Sequence, residues 1–391
     1  MKEWAKRATT TLRHAWRVMS EEFDGIFSDG GALLLVGFAT MIYTIIYSMA
    51  YGGEVVRDIP IVVVDEDRSS ASRSLIQGLE DGPDTQVAYE AENIGVARDL
   101  FYRGEVFAII VIPNNYELDL LANNPVEVAL ILDGSHLLLY NHVLEQAVSD
   151  IITTGAVIEA GRIIAGGGSD IEAEAIISPI TVNMEMLFNP YLGYGAFVMP
   201  SILIVIIQQT MLIGIALVTL YLARRRIGRR PINPITTVIS KILVYIVIYS
   251  VNLLVILGVV WPIFDLPYFA NTLDVIILLL IYMIAASALG LSLSHLFSRR
   301  EAPIMLLLWS SIPTLLLAGI SYPHEAFPEW MYAIGRILPS SSAVDAFIQL
   351  STMGATLSDI ESEIITLVAL AILYMMSAII CESRYCSRKI T

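Results

Sequence analysis

A bundle of six transmembrane helices with both termini cytoplasmic, interrupted by an inserted extracytoplasmic α/β domain, is the fold class this sequence predicts. Three observations predict it. The 391-residue chain is 56% hydrophobic and only 16% charged, with a mean hydropathy of +0.68, whereas soluble domains carry about 45–50% apolar and about 25% charged residues. Six of its segments are long enough, at about 18 or more nearly uncharged apolar residues, to cross a hydrocarbon core of about 30 Å as helices. Between the first two of these, strand and helix periodicities alternate over a stretch of normal domain size.

Residues 1–30 come first. Trp4, Ala8, Leu12 and Trp16 recur every four residues, Met19 and Phe23 continue the stripe, and Lys6, Arg7, Arg13 and Arg17 lie off it. A basic amphipathic helix with tryptophans at its apolar boundary suits the cytoplasmic membrane interface. A helix packed on other cytoplasmic parts is the alternative, and both place it at the inner surface. The first span is 31–51. Its charged leader is long and no A-x-A site follows, so a signal peptide is a poor reading.

Residues 52–190 are the predicted outer domain. IPIVVV (59–64) reads as a buried strand closed by DEDRSS, 69–80 as a helix, and TQVAYE as a short strand. A helix over 93–103, a strand over 106–113, a short helix at 116–121, a strand over 126–132 and a long helix over 137–164 follow, until Gly166–Gly168 break the pattern.

The remaining spans are 196–223, 242–264, 275–298, 302–320 and 362–381, with a cytoplasmic connection at 224–241 and a tail at 382–391. Before the last span, 321–361 holds two short apolar stretches broken by Pro323, Pro328 and Pro339. Few charges and half-length helices favour a segment that dips into the outer leaflet and returns, over a surface loop of two amphipathic turns.

Orientation follows from Lys and Arg. With the N-terminus inside, 16 of the 23 basic residues are cytoplasmic, while the short outer connection after 264 has none. Most acidic residues fall on the other side. The net charge of −15 therefore divides into a basic inner face, suited to anionic lipid, and a strongly acidic outer one. Nucleic acid is not an expected partner.

Catalytic signatures are absent from the sequence: there is no G-x-x-x-x-G-K-[ST], G-x-S-x-G or H-E-x-x-H. Asp133-Gly134-Ser135-His136 reads as a turn before a nucleophile. Cys381 and Cys386 suit neither a zinc knuckle nor a redox pair, and no cofactor is expected in this chain. Within the spans Gln208, Gln209 and Asn252 are the informative polar residues, read as interhelical glue ahead of a substrate pathway. Ala286, Gly290 and Ser294 have the spacing of a close helix contact.

In the order of its parts the chain resembles the membrane subunit of ABC-2 type exporters, in the branch with a large outer domain between helices 1 and 2. The resemblance rests on the amphipathic leader, on IPIVVVDEDRSSASRSL, and on VFAIIVIPNNYELDLLANNPVEVALILDGS. Its most specific piece is Gly319, Pro323, Phe327, Pro328, Trp330, Met331, Leu338 and Pro339. The resemblance implies a permease without enzymatic activity in the bacterial plasma (inner) membrane. It would pair with a second permease, a copy or a homologue, and dock a cytoplasmic P-loop ATPase that carries ATP and Mg. A periplasmic adaptor is a further implied partner. Trp16 and Arg17, with Arg224, Arg225, Arg226, Arg229 and Arg230, would contact the ATPase; positive-inside anchoring also accounts for the arginines. The rival readings are a membrane-anchored sensor or envelope assembly protein using the outer domain as a ligand-binding module, and a membrane enzyme using Asp133, His136, His324 and Glu325.

Overall fold

The computed structural model describes residues 2–52, 56–167, 169, 171, 187–189, 193–225 and 233–388, and side chains from Thr10 to Arg384 within them. The chain divides into two units, Val55–Glu185 and the remainder, Met1–Glu54 with Met186–Thr391.

The smaller unit is α/β. Strands β1 (Ile59–Asp65), β2 (Thr85–Glu90), β3 (Ala108–Ile112) and β4 (Ala129–Leu132) form one sheet in the order β2-β1-β3-β4. β1 pairs in parallel with β2 and β3, and β4 closes the edge antiparallel to β3. β1 is central, so both of its faces are covered. Ile61 and Val63 pack on the side of helices Ser70–Asp81 and Leu137–Ala165, and Val62 and Val64 on the side of Ile94–Tyr102. That is why it reads as a continuous apolar run, not an alternating one. Helix starts are capped as their sequences suggest: Ser69 accepts from the Ser72 N–H and Asn93 from the Val96 N–H, each at 3.1 Å. β4 is shorter than the 126–132 expected: Ala129–Leu132 pair with Ala108–Val111 of β3, and 126–128 lie outside the ladder.

Among the described residues of the larger unit, five helices are long and apolar enough to cross a membrane. Numbering helices through the whole chain, these are α2 (Gly30–Tyr51), α7 (Tyr194–Arg225), α8 (Pro234–Ile263), α9 (Thr272–Ser294) and α13 (Glu361–Arg388). α1 is Lys2–Ser28, α3 to α6 lie in the α/β unit, and α10 is Glu301–Leu317. The span expected over 302–320 is thus a shorter helix, with a turn at Ser310. Pro313 supplies no N–H, and the Ser310 and Ser311 hydroxyls bond back to the carbonyls of Leu307 and Leu308, both of which interrupt a helical ladder. Seventeen residues rise about 26 Å, at the short end of what crosses a hydrocarbon core.

Two further short helices, α11 (Glu329–Gly335) and α12 (Pro339–Ser351), precede α13. α11 is largely exposed, with Trp330 67% accessible. α12 is no surface loop: Pro339 to Val344, Ala346, Phe347 and Leu350 are buried against α7 and α9.

α7 is the axis of the unit and is buried almost all round. Small residues let its neighbours approach. A Cβ on Gly214 would meet Val36 of α2 at 2.2 Å, and one on Gly290 of α9 would meet Ile215 at 2.9 Å. Ala286, Gly290 and Ser294 are all buried, as a close-contact stripe requires.

Candidate functional site

Two regions of the helical unit hold its unusual polar chemistry. The first is the end where α1 joins it. The C-terminal half of α1 packs through Val18, Gly25 and Ile26, with Gly25 against Val218 and Leu222 of α7. Glu22 lies on this face, fully buried, and accepts from the Tyr245 hydroxyl of α8 at 3.0 Å. Asp29 accepts from the N–H groups of Gly31 and Ala32 at 3.1 Å, capping α2, and is ion-paired to Arg300 at the start of α10. His295 beyond α9 pairs with Glu382 of α13 at 3.1 Å. The starts of α2, α8 and α10 and the ends of α7, α9 and α13 therefore share one end of the unit.

Leu12 and Trp16 of the apolar stripe lie on a different face. Trp16 is 73% exposed, as is most of Leu12, and Arg17 is exposed with a loose 3.9 Å pairing to Glu21. Packing on the rest of the chain uses Val18, Glu22, Gly25 and Ile26, with Met19 and Phe23 of the stripe partly buried against the same core, and leaves Leu12 and Trp16 uncovered. Arg224 and Arg225 form the last turn of α7, and the Arg225 guanidinium lies 4.7 Å from the Tyr221 ring centroid. Arg226, Arg229 and Arg230 lie outside the described residues.

The second region is a cleft of about 470 Å³ between α2, α7 and α10. α2 carries two stripes at four-residue spacing. Thr40, Thr44 and Ser48 are buried toward α7, where the Thr40 and Thr210 hydroxyls meet at 3.1 Å and the Tyr249 hydroxyl donates to Thr210 at 3.0 Å. Tyr43, Tyr47 and Tyr51 border the cleft; Tyr47 stacks on Tyr51, and Tyr51 meets Tyr194 edge-on at 5.2 Å. Among the described residues no charged side chain lines it.

The three polar span residues separate here. Gln208 accepts from the Ser340 N–H of α12 at 2.9 Å, and Asn252 donates to the Val36 and Ile248 carbonyls at 3.3 and 3.1 Å. Both join helices. Gln209 borders the cleft. The tyrosine stripe was in the sequence at i, i+4, i+8 and was not singled out; its spacing was the available signal. The buried acids were harder to see, because Glu22 sits among charged neighbours in sequence.

The proline-rich segment is built around His324. Gly319 takes a φ of +80°, and a Cβ there would strike the His324 ring at 2.8 Å. His324 Nδ1 bonds Asp345 of α12 and Nε2 bonds the Leu317 carbonyl, each at 3.0 Å. Both partners accept only, so both ring nitrogens donate, and the Asp345 hydrogen bond raises the His324 pKa above its usual value. Pro323 and Pro328 precede the 3₁₀ turn His324–Ala326 and α11, Phe327 stacks on Tyr322, Met331 and Leu338 are half-buried, and Pro339 opens α12.

Asp133, Ser135 and His136 form the turn expected of them. Ser135 donates to Asp133 at 2.6 Å, His136 Nδ1 bonds Asp133 at 2.8 Å and lies 3.0 Å from the Ser135 hydroxyl, and the bonds to Asp133 hold its carboxyl down to about 2. Among the described residues there is no group of three or more His, Cys, Asp or Glu able to hold a metal.

Apolar helices of spanning length around an uncharged cleft define a multi-pass membrane protein of the transport class. The chain belongs to the ABC-2 family of transporter proteins, whose family model matches residues 31–380. It is accordingly the membrane component of an ABC transporter, not itself catalytic, and the family implies a partner ATPase. A comparison with curated proteins finds no match.

Proposed function

We propose that this chain is the permease subunit of an exporter, moving a substrate outward across the bacterial inner membrane on ATP hydrolysed by a separate cytoplasmic P-loop subunit with its Mg. The shared basic end is the inner face, both termini lie there, and the α/β unit lies outside, where a periplasmic adaptor can meet it. A second permease, a copy or a homologue, completes the assembly, and the cleft of α2, α7 and α10 belongs to the path.

One observation carries this reading. α1 is bound at Glu22–Tyr245 and Gly25–Leu222 to the helices on either side of the 226–232 connection, while its Trp16 face is left free. A force on that face from a closing ATPase would pass directly to α7 and α8. Reversal of the basic end would place it against the rule that short loops rich in Lys and Arg stay inside.

The test is reconstitution in liposomes with the ATP-binding subunit that co-purifies with the full chain. Trp16→Ala should leave the complex assembled and lower ATPase stimulation several-fold. Purification of the chain with no ATP-binding subunit, under conditions that preserve its fold, would refute the reading.

A further inference from the structure

Gln209 is 8% exposed and borders the cleft, yet neither its Oε1 nor its Nε2 has a hydrogen-bond partner among the described residues. Gln208, one position earlier, has its carbonyl oxygen tied to α12. Buried side-chain amides in native proteins are almost always satisfied, and an exception at the wall of a cavity calls for something else to complete it. The rest of the wall limits what that can be. Tyr43, Tyr47, Tyr51 and Tyr194 offer flat faces, the remaining described lining apart from Gln209 is aliphatic or hydroxylic, and among the described residues Asp, Glu, Lys, Arg and His are absent from it. An ionic ligand would leave water for a wall without a counter-charge, at high cost. A neutral molecule with a flat apolar body would stack on the tyrosines, and a volume of about 470 Å³ falls within the about 300–1,000 Å³ of small-molecule sites.

We propose that the cleft binds a neutral aromatic substrate bearing a group that both donates and accepts, such as an amide or sulfonamide, and that Gln209 selects for it by pairing with that group. This rests on the cleft being part of the transport path. The amide is the residue that distinguishes such a molecule from an equally apolar one lacking the donor.

The test uses the full chain in lipid nanodiscs and four related fluorophores: dansylamide, its N,N-dimethyl derivative, which keeps the acceptors and loses the donor, anionic dansylate, and cationic dansylcadaverine. Dansylamide should bind tightest of the four. Gln209→Leu should weaken it more than tenfold, through loss of both the donated and the accepted hydrogen bond, and should weaken the dimethyl derivative, which can only accept, several-fold less. Gln209→Asn should fall between. Equal effects on both probes, no effect on dansylamide, or equally tight dansylate binding would overturn the proposal. So would efficient cross-linking of Gln209→Cys between two copies with dansylamide binding unchanged, since the amides would then face each other across an interface. Selective binding lost in Gln209→Leu, from a chain that recruits no ATPase, would uphold the contact and sink the transport reading. ATPase coupling without any dependence of dansylamide binding on residue 209 would do the reverse.

Discussion

The N–H of Ser340 donates to the side-chain oxygen of Gln208, 132 positions earlier, at 2.9 Å. Leu338 at the N-cap of α12 offers no side-chain acceptor, and Pro339 has no N–H to satisfy. The first free donor of a buried helix is therefore capped from another helix, which supplies what a Ser or Asp at the N-cap ordinarily would. Gln208→Leu should lower thermal stability in detergent, by about 1–2 kcal/mol, whereas Gln209→Leu should not. Equal melting of the two variants would mean that the cap contributes nothing.

Gly214 sets the distance between α2 and α7. Val36 is β-branched and stiff in a helix, so it cannot swing away from a methyl group at 2.2 Å. Gly214→Ala should destabilise by about 1–3 kcal/mol, the usual range for overpacking, and Val36→Ala should restore most of that. If the double variant melts no higher than Gly214→Ala alone, the contact is not the cause.

Asp29 has two jobs that substitutions can separate. Asp29→Asn keeps the acceptor for the Gly31 and Ala32 N–H groups and loses the charge opposite Arg300; Asp29→Ala loses both. Asp29→Ala should cost about 1 kcal/mol more than Asp29→Asn, the typical value of a cap. Unfolding by heat or denaturant measures the difference, and identical stabilities would rule out the capping role.

His324 makes the segment around it sensitive to pH. Its folded pKa is raised by Asp345, with Leu317 and Glu325 acting in the same direction and burial opposing them. The sign follows from linkage: the stabilisation is complete below the unfolded value of about 6.5 and is lost as pH rises through the raised folded value. Amide hydrogen exchange over 319–338, corrected for its intrinsic pH dependence, should therefore quicken above neutral pH. His324→Asn should abolish that dependence, and a profile identical to that of the parent would refute it.

Much of the architecture was legible without coordinates because it depends on local properties. Run length and the absence of charge marked the helices of spanning length. A switch of period from two to near four marked the strands and helices of the α/β unit, where 116–121 is a helix to the residue. Within 302–320 the helix is interrupted, for a reason also local but easily outweighed by hydropathy: two serines and Pro313 break its ladder.

What only the tertiary structure decided is which way each polar group faces. Gln208 and Gln209 are adjacent, so on a helix their side chains diverge by about 100°. One caps α12 and the other is left at a cleft. α7 is apolar on every side, and a helix without a polar face carries no periodic signal of its rotation. The same holds for α1, where Leu12 and Trp16 of a stripe strong in sequence are free and a face containing Glu22 is buried. Sequence determines how long and how apolar a helix is; its azimuth is set by neighbours far away along the chain.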